Sequence, residues 1–194
     1  AISMEKLILI DGNSLINRAY WAMYKNPMTT SDGTYTHAVY GFFNMLFKLQ
    51  REHNPSHMGV AFDLPGGTFR NEMYTEYKAQ RKGMDEELRT QFPIIKEILK
   101  ALNIAMIEKP GFEGDDILGS LSREYEEKGF NILIITGDKD NLQLCSDNVS
   151  VVYTRTGVTN FDLYDEKKLL EKEGLTTSQF IDYKGLRGDS SDNI

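Results

Sequence analysis

The acidic residues of this chain are spaced in a way that points to cation chemistry. Glu113, Asp115 and Asp116 fall within the short run Gly111-Phe112-Glu113-Gly114-Asp115-Asp116. Carboxylates packed this closely repel and raise one another's proton affinity. A helix N-terminus offsets part of that cost, and a divalent metal offsets far more. Asp11, Asp63, Asp138 and Asp140 stand at the ends of apolar runs elsewhere, and Asp189 and Asp192 add an i, i+3 pair. His37, His53 and His57 show no ligand spacing, so the donor set is all oxygen. Such sites select hard cations, Mg2+ or Mn2+, over Zn2+. Two ions about 4 Å apart can activate a water and stabilise both the attacking and the leaving oxygen of a phosphodiester displacement.

The elements that must bring these acids together are strands alternating with helices. Residues 6–10, 58–62, 104–107 and 130–136 are short apolar runs that read as buried parallel strands. Asp11, Asp63, the Glu113 cluster and Asp138 with Asp140 follow these runs in turn. One acid after one strand is an ordinary cap or turn residue. Four in succession share a cause, because in a parallel sheet with helices on both faces the ligand site lies at the C-terminal strand ends.

The intervening segments read as follows. A turn after Asp11 leads to a helix that Asn13 or Ser14 caps. Residues 25–36 form a loop. Residues 37–51 form an amphipathic helix with Val39, Phe42, Phe43, Leu46, Phe47 and Leu49 on its core face, stopped by Pro55. Residues 85–102 form another, with Leu88, Phe92, Ile95, Leu99 and Leu102 apolar and Pro93 bending it or sitting in its first turns. A helix follows Glu113 and ends at Gly129. Residues 149–153 and 158–163 read as a strand pair around Thr156-Gly157, and residues 165–173 and 177–184 as short helices. Residues 68–82 carry Arg70, Lys78, Arg81 and Lys82 interleaved with Phe69, Tyr74 and Tyr77. That segment is either a solvated surface helix or a basic, aromatic arm that holds a phosphate backbone and stacks bases.

Composition sets outer limits. With 194 residues, 40% hydrophobic and 26% charged, the chain has the makeup of one globular domain with a sizeable core. No apolar run approaches the roughly 20 residues of a membrane span, and residues 7–10 are too short for a signal peptide. Ala1-Ile2-Ser3 ahead of Met4 reads as a cloning remnant. The single cysteine, Cys145, excludes an internal disulfide, fits a reducing cytoplasm and reads as a small core residue in a helical turn. The net charge of −7 argues against a nucleic-acid partner if taken as an average. Two divalent ions would cancel four of those charges at one place, so the distribution decides.

Several motifs, in order, carry a family resemblance. They are Leu9-Ile10-Asp11-Gly12-Asn13-Ser14 with Arg18-Ala19-Tyr20, then Ala61-Phe62-Asp63, Thr68-Phe69-Arg70 and Glu76-Tyr77-Lys78-Ala79-Gln80-Arg81. Glu113-Gly114-Asp115-Asp116, Thr136-Gly137-Asp138-Lys139-Asp140 and Gly188-Asp189-Ser190-Ser191-Asp192-Asn193-Ile194 complete the set. The chain resembles the 5′ nuclease family of 5′–3′ exonucleases and flap endonucleases, most closely the branch at the N-terminus of bacterial DNA polymerase I. The match runs from residue 6 to residue 194.

The resemblance implies an α/β fold of the PIN-like type: a mostly parallel central sheet, helices on both faces, and a helical arch over the site formed by residues 68–95. It implies that Asp11, Asp63, Glu113 and Asp115 surround one metal, with Asp116 between sites. Asp138, Asp140, Asp189 and Asp192 would hold a second Mg2+ or Mn2+, partly through water. Lys78 and Arg81 would meet the scissile phosphate, and Arg18, Tyr20, Arg70, Tyr74, Tyr77 and Lys82 would touch DNA. The implied reaction is phosphodiester hydrolysis at a single-strand/duplex junction, a 5′ flap, nick or RNA primer, leaving a 5′ phosphate and a 3′ hydroxyl. The implied setting is a monomer in the bacterial cytoplasm, on the nucleoid, in replication and repair. In this family a glycine- and proline-rich helical hairpin that grips duplex DNA follows Asp192-Asn193-Ile194. A chain ending there, with residues 185–194 only the start of that element, is expected to keep the metal site and bind DNA poorly.

Other classes fit less well. A phosphatase with an aspartate nucleophile needs a second acid two residues after the first, where this chain has Asn13. A phosphorylated receiver domain has no use for the Asp189/Asp192 pair. A small RNA-cleaving nuclease would need fewer acids and no basic arm. A junction-binding scaffold with little activity remains as the non-enzymatic reading, and it describes a fragment better than an intact parent.

Overall fold

The computed structural model describes residues 4–63, 85–156 and 160–179. A six-stranded sheet runs through it in the order β3-β2-β1-β4-β5-β6. The strands are β1 (Lys6–Asp11), β2 (His57–Ala61), β3 (Ala105–Ile107), β4 (Asn131–Thr136), β5 (Val149–Thr156) and β6 (Asn160–Tyr164). All neighbours pair in parallel except β5 and β6, which are antiparallel.

Alternation along β1 explains the layering. Ile8 and Ile10 point to one face, Leu7 and Leu9 to the other, and each set enters its own core. On the first face lie α1 (Gly12–Ala22), α2 (His37–His53), α3 (Glu86–Arg89) and α4 (Gln91–Ala101), which supply Leu15, Phe42, Leu46, Leu88, Ile95 and Leu99. On the second lie α5 (Gly114–Glu127), a 3₁₀ helix (Lys139–Leu144) and α6 (Glu166–Glu173), with Ile117, Leu118, Leu142 and Leu169. Two apolar faces on the sheet require two helical layers, which is the expected α/β sandwich. Among the described residues no helix is long and apolar enough to cross a membrane.

The structure departs from the sequence reading at particular places. No turn separates β1 from α1. Asp11 ends the strand and occupies the N-cap position itself, and Ser14 turns its hydroxyl back to the Asp11 carbonyl. The helix starts hard against β2: a Cβ at Gly12 would lie 2.8 Å from the Ala61 carbonyl oxygen. The helix expected over residues 85–102 breaks at Thr90, and Pro93 falls in the first turn of α4, where its missing N–H costs nothing. Gln91 lies at the break and is buried. Its Oε1 accepts from the Ala38 and Val39 amides at 2.7 and 3.2 Å, capping α2 from another element. Phe47 and Leu102, expected in the core, are exposed. Helix α2 runs on to His53 and ends with Asn54 in the left-handed conformation, φ 42°. Cys145 sits just past the 3₁₀ helix, buried among apolar side chains that push its thiol up to about 12.

Candidate active site

Strand order places a crevice where β1 and β4 adjoin, because the chain leaves β1 toward β2 and later returns on its other side as β4. This reversal is where parallel sheets bind ligands. Asp11 ends β1 and is 5% exposed. Thr136 ends β4 and is fully buried. Its hydroxyl donates to Asp11 Oδ2 at 2.8 Å and accepts from the Asp138 amide at 3.0 Å. Ser14 Oγ accepts from the Gly137 amide at 3.0 Å, and Asp138 Oδ1 accepts from the Asp140 amide at 2.9 Å. The two strand ends are thereby locked together.

The remaining acids arrive from β2 and α5. Asp63, just past β2, donates its amide to Asn13 Oδ1 at 3.0 Å, and its own Oδ1 accepts from the Gly114 amide at the start of α5. Gly114 permits this approach, since a Cβ there would lie 3.1 Å from Asp63 Oδ1. Asp116 Oδ2 accepts from the Glu113 amide at 3.2 Å, so that acid closes the first turn of α5. Glu113 itself is buried. Asp115 and Asp11 meet through Asn141 of the 3₁₀ helix, whose Nδ2 lies 3.2 Å from Asp115 Oδ1 and 3.3 Å from Asp11 Oδ2.

The electrostatics follow from this crowding. Burial pushes the Asp11 carboxyl up to about 6, against the hydrogen bonds from Thr136 and Ser14, with the Asp63 and Asp138 charges adding to the rise. Burial pushes Asp115 up further, to about 8, helped by the charges of Asp11 and Asp138 and opposed by the Asn141 hydrogen bond. Asp11, buried, and Asp115, half-buried, both face further carboxylates and bind protons more tightly than free carboxyls do, a bias that supplied positive charge reverses. The donor set suits a hard divalent cation, with Asp11, Asp63, Glu113, Asp115 and Asp138 as candidate ligands. Among the described residues, no group of three acids, histidines or cysteines is drawn tightly enough to enclose an ion. Asp11 and Asp115 are spaced by an amide, and Asp63 and Asp116 bind backbone N–H groups.

The other predicted site residues divide into two groups. Asp140 sits beside Asp138 on the 3₁₀ helix. Arg70, Tyr74, Tyr77, Lys78, Arg81, Lys82, Asp189 and Asp192 lie outside the described residues. Two expected DNA contacts are engaged by the protein itself. Tyr20 is 1% exposed, its ring is packed in the core, and its hydroxyl donates to Asp85 at 3.2 Å, so the ring has no face for a base. Arg18 donates to the carbonyls of Gly137 at 3.1 Å and Arg155 at 2.9 Å, holding the turn after β4 onto β5. Asn13, Ser14, Thr136 and Asn141 are site residues beyond the acids themselves. Asn13, Ser14 and Thr136 lie inside the acid-bearing motifs, which is a sequence signal; Asn141 follows the motif that ends at Asp140 and has none.

Residues 6–174 match the family model for the 5′-3′ exonuclease, N-terminal resolvase-like domain. The chain belongs to this 5′–3′ exonuclease family. The exonuclease-family chain is 45% identical to DNA polymerase I of Mycobacterium tuberculosis (strain ATCC 25618 / H37Rv), over 97% of its own length and 21% of the polymerase. It is 45% identical to DNA polymerase I of Bacillus subtilis (strain 168), over 98% of itself and 21% of that protein. The chain thus spans about a fifth of these relatives. Among solved structures, the 5′-exonuclease of phage T5 with bound zinc superposes with a TM-score of 0.76 at 23% identity, over 98% of this chain and 69% of that one. The T5 flap endonuclease in a pseudo-enzyme-product complex with DNA and metal ions gives 0.75 at 22%, with the same coverage. At these identities the likeness shows the fold of the exonuclease family: a mostly parallel sheet between two helical layers.

Proposed function

We propose that this chain is a divalent-metal-dependent, structure-specific 5′ nuclease domain. It hydrolyses phosphodiesters at the 5′ ends and flaps of DNA, and of RNA primers, near a single-strand/duplex junction. The observation that carries the reading is the Asp11–Asp115 pair, one buried and one half-buried, at the strand-order reversal, with Asp63 and Asp138 adding like charge. Family membership and the T5 proteins seen with DNA and with metal support it.

Asp11, Asp63, Glu113 and Asp115 would hold one Mg2+ or Mn2+, with Asp116 at the junction of the two sites. Asp138, Asp140, Asp189 and Asp192 would serve a second. Bound there, such ions supply charge neutralisation for the attacking and leaving oxygens of an in-line displacement. Thr136, Ser14 and Asn141 fix the carboxylates before substrate arrives, so little reorganisation is left for the reaction itself. Lys78 and Arg81 would place fixed positive charge on the scissile phosphate, where charge builds in the transition state. Arg70, Tyr74, Tyr77 and Lys82 would guide the single strand within the arch expected over residues 68–95, except that its last part, residues 86–95, packs Leu88 and Ile95 into the core instead. Residues 4–194 would form the catalytic unit, with residues 185–194 opening the next DNA-binding element, acting as a monomer in the cytoplasm.

The test is cleavage of a labelled 5′-flap duplex by this chain. Cleavage with Mg2+ or Mn2+, abolished by EDTA and by Asp116→Asn, is expected. Cleavage that survives EDTA, or survives Asp116→Asn in a folded protein, would overturn the assignment.

A further inference from the structure

Asn141 is not one of the acids that define the site, yet its side chain touches two of them. It is 1% exposed and lies on the 3₁₀ helix that follows β4. Its Nδ2 has three oxygens in reach: Thr136 Oγ1 at 2.9 Å, Asp115 Oδ1 at 3.2 Å and Asp11 Oδ2 at 3.3 Å. The neighbouring donors and acceptors fix which end of the amide faces them. The Thr136 hydroxyl spends its one proton on Asp11 and takes the Asp138 amide, so one Asn141 N–H donates to it and the two Nδ2 protons are shared among three oxygens, the longest contact, to Asp11, being three-centred. Rotated by half a turn, the amide would set its oxygen against two carboxylates. Asn141 Oδ1 is buried with no hydrogen-bond partner among the described residues.

The bridge joins two elements that pack on one another through Leu7, Leu9, Ile117 and Leu118, and it sets the spacing of their two acids at the site end. Asp11 ends β1, and Asp115 lies in the first turn of α5. Because both oxygens sit within hydrogen-bond range of one nitrogen, their separation cannot exceed the sum of the two distances. Like charges at that range push apart unless something holds them. A lysine in the same place would hold them but would also cancel the charge a cation needs. A leucine would leave both without a donor. A neutral amide holds both carboxylates and leaves their charge intact.

We propose that Asn141 is a positioning residue, whose Nδ2 joins Asp11 and Asp115 at the spacing in which they receive a divalent ion. The proposal rests on the nuclease reading above and deepens it. Partners that orient ligands in this way are worth about 10–100-fold in metal affinity.

The experiment titrates Mn2+ into the metal-free full chain, reading free Mn2+ by electron paramagnetic resonance, beside flap cleavage by the same preparations. Asn141→Leu keeps the branching at Cγ, adds volume and removes the donor. Asn141→Ala, read in parallel, covers the case in which leucine does not fold by circular dichroism. Either variant should weaken Mn2+ binding about 10-fold or more. It should lower kcat in step, with little change in KM for the DNA. In an Asp115→Ala background, which removes the bridged oxygen, the same substitution should weaken binding no further. Wild-type binding matched by both variants, or an equal loss in the Asp115→Ala background, would overturn the positioning role and leave the nuclease reading standing. No Mn2+ binding and no cleavage by wild type would overturn the nuclease reading and this proposal with it.

Discussion

Thr136 Oγ1 donates to Asp11 Oδ2 at 2.8 Å, and this bond joins the ends of β1 and β4 at the point where strand order reverses. The same oxygen accepts from the Asp138 amide and from Asn141 Nδ2. Thr136→Val keeps the shape and deletes all three interactions, taking the Thr136 acceptor from the Asp138 amide and leaving Asp11 and Asn141 with one bond fewer each. Stability should fall by about 1–3 kcal/mol in urea denaturation, with the slope unchanged. A loss below roughly 0.5 kcal/mol, the ordinary size of a surface substitution, would mean the network carries no weight.

The stability of the metal-free chain should fall as pH rises. Asp11 is pushed up to about 6 and Asp115 to about 8, both from 3.8. The folded state therefore holds these protons more tightly than the unfolded chain does. Their favourable contribution is complete below pH 4 and is lost progressively up to about pH 8. His37 and His53 are lowered by burial and contribute in the opposite sense, so the Asp115 share is read by difference. Melting temperatures in EDTA between pH 4 and 9 should show a downward slope that Asp115→Asn reduces and saturating Mg2+ suppresses. A slope identical in wild type and Asp115→Asn would contradict the electrostatic account.

Arg18 separates a structural role from a DNA contact. Its guanidinium spans the carbonyls of Gly137 and Arg155. Arg18→Met should cost about 2 kcal/mol of stability, the range of hydrogen bonds from a charged donor. Unchanged stability with a raised KM for flap DNA would instead return Arg18 to the substrate.

What could be read from the sequence, and what could not, follows from the range of the forces involved. Asp11, Asp63, Glu113 and Asp138 are legible because each ends or follows an apolar run, buried in β1 and β4 and only half-buried in the edge strand β3, and parallel strands deliver their C-termini to one edge. The two-layer fold was legible for the same reason. The break at Thr90 was not, because it goes with a Gln91 side chain that caps α2, a contact more than fifty residues away in the chain. Tyr20 beside a basic residue reads equally as a stacking ring or a core ring. Only its packing against His37 and its bond to Asp85 decide for the core. Asn141 carries no charge and no periodic signal, and its importance exists only once β1, β4 and α5 are assembled.

The most direct test of the central claim is Asp115→Asn, with Mg2+-dependent cleavage of a 5′-flap duplex measured alongside the metal-free melting temperature. The substituted side chain would keep an oxygen for the Asn141 amide while removing a half-buried charge. The account predicts a chain that melts higher than wild type at pH 8 without metal and no longer cleaves, the signature of a residue kept for function against stability. Cleavage at the wild-type rate by that variant would contradict it.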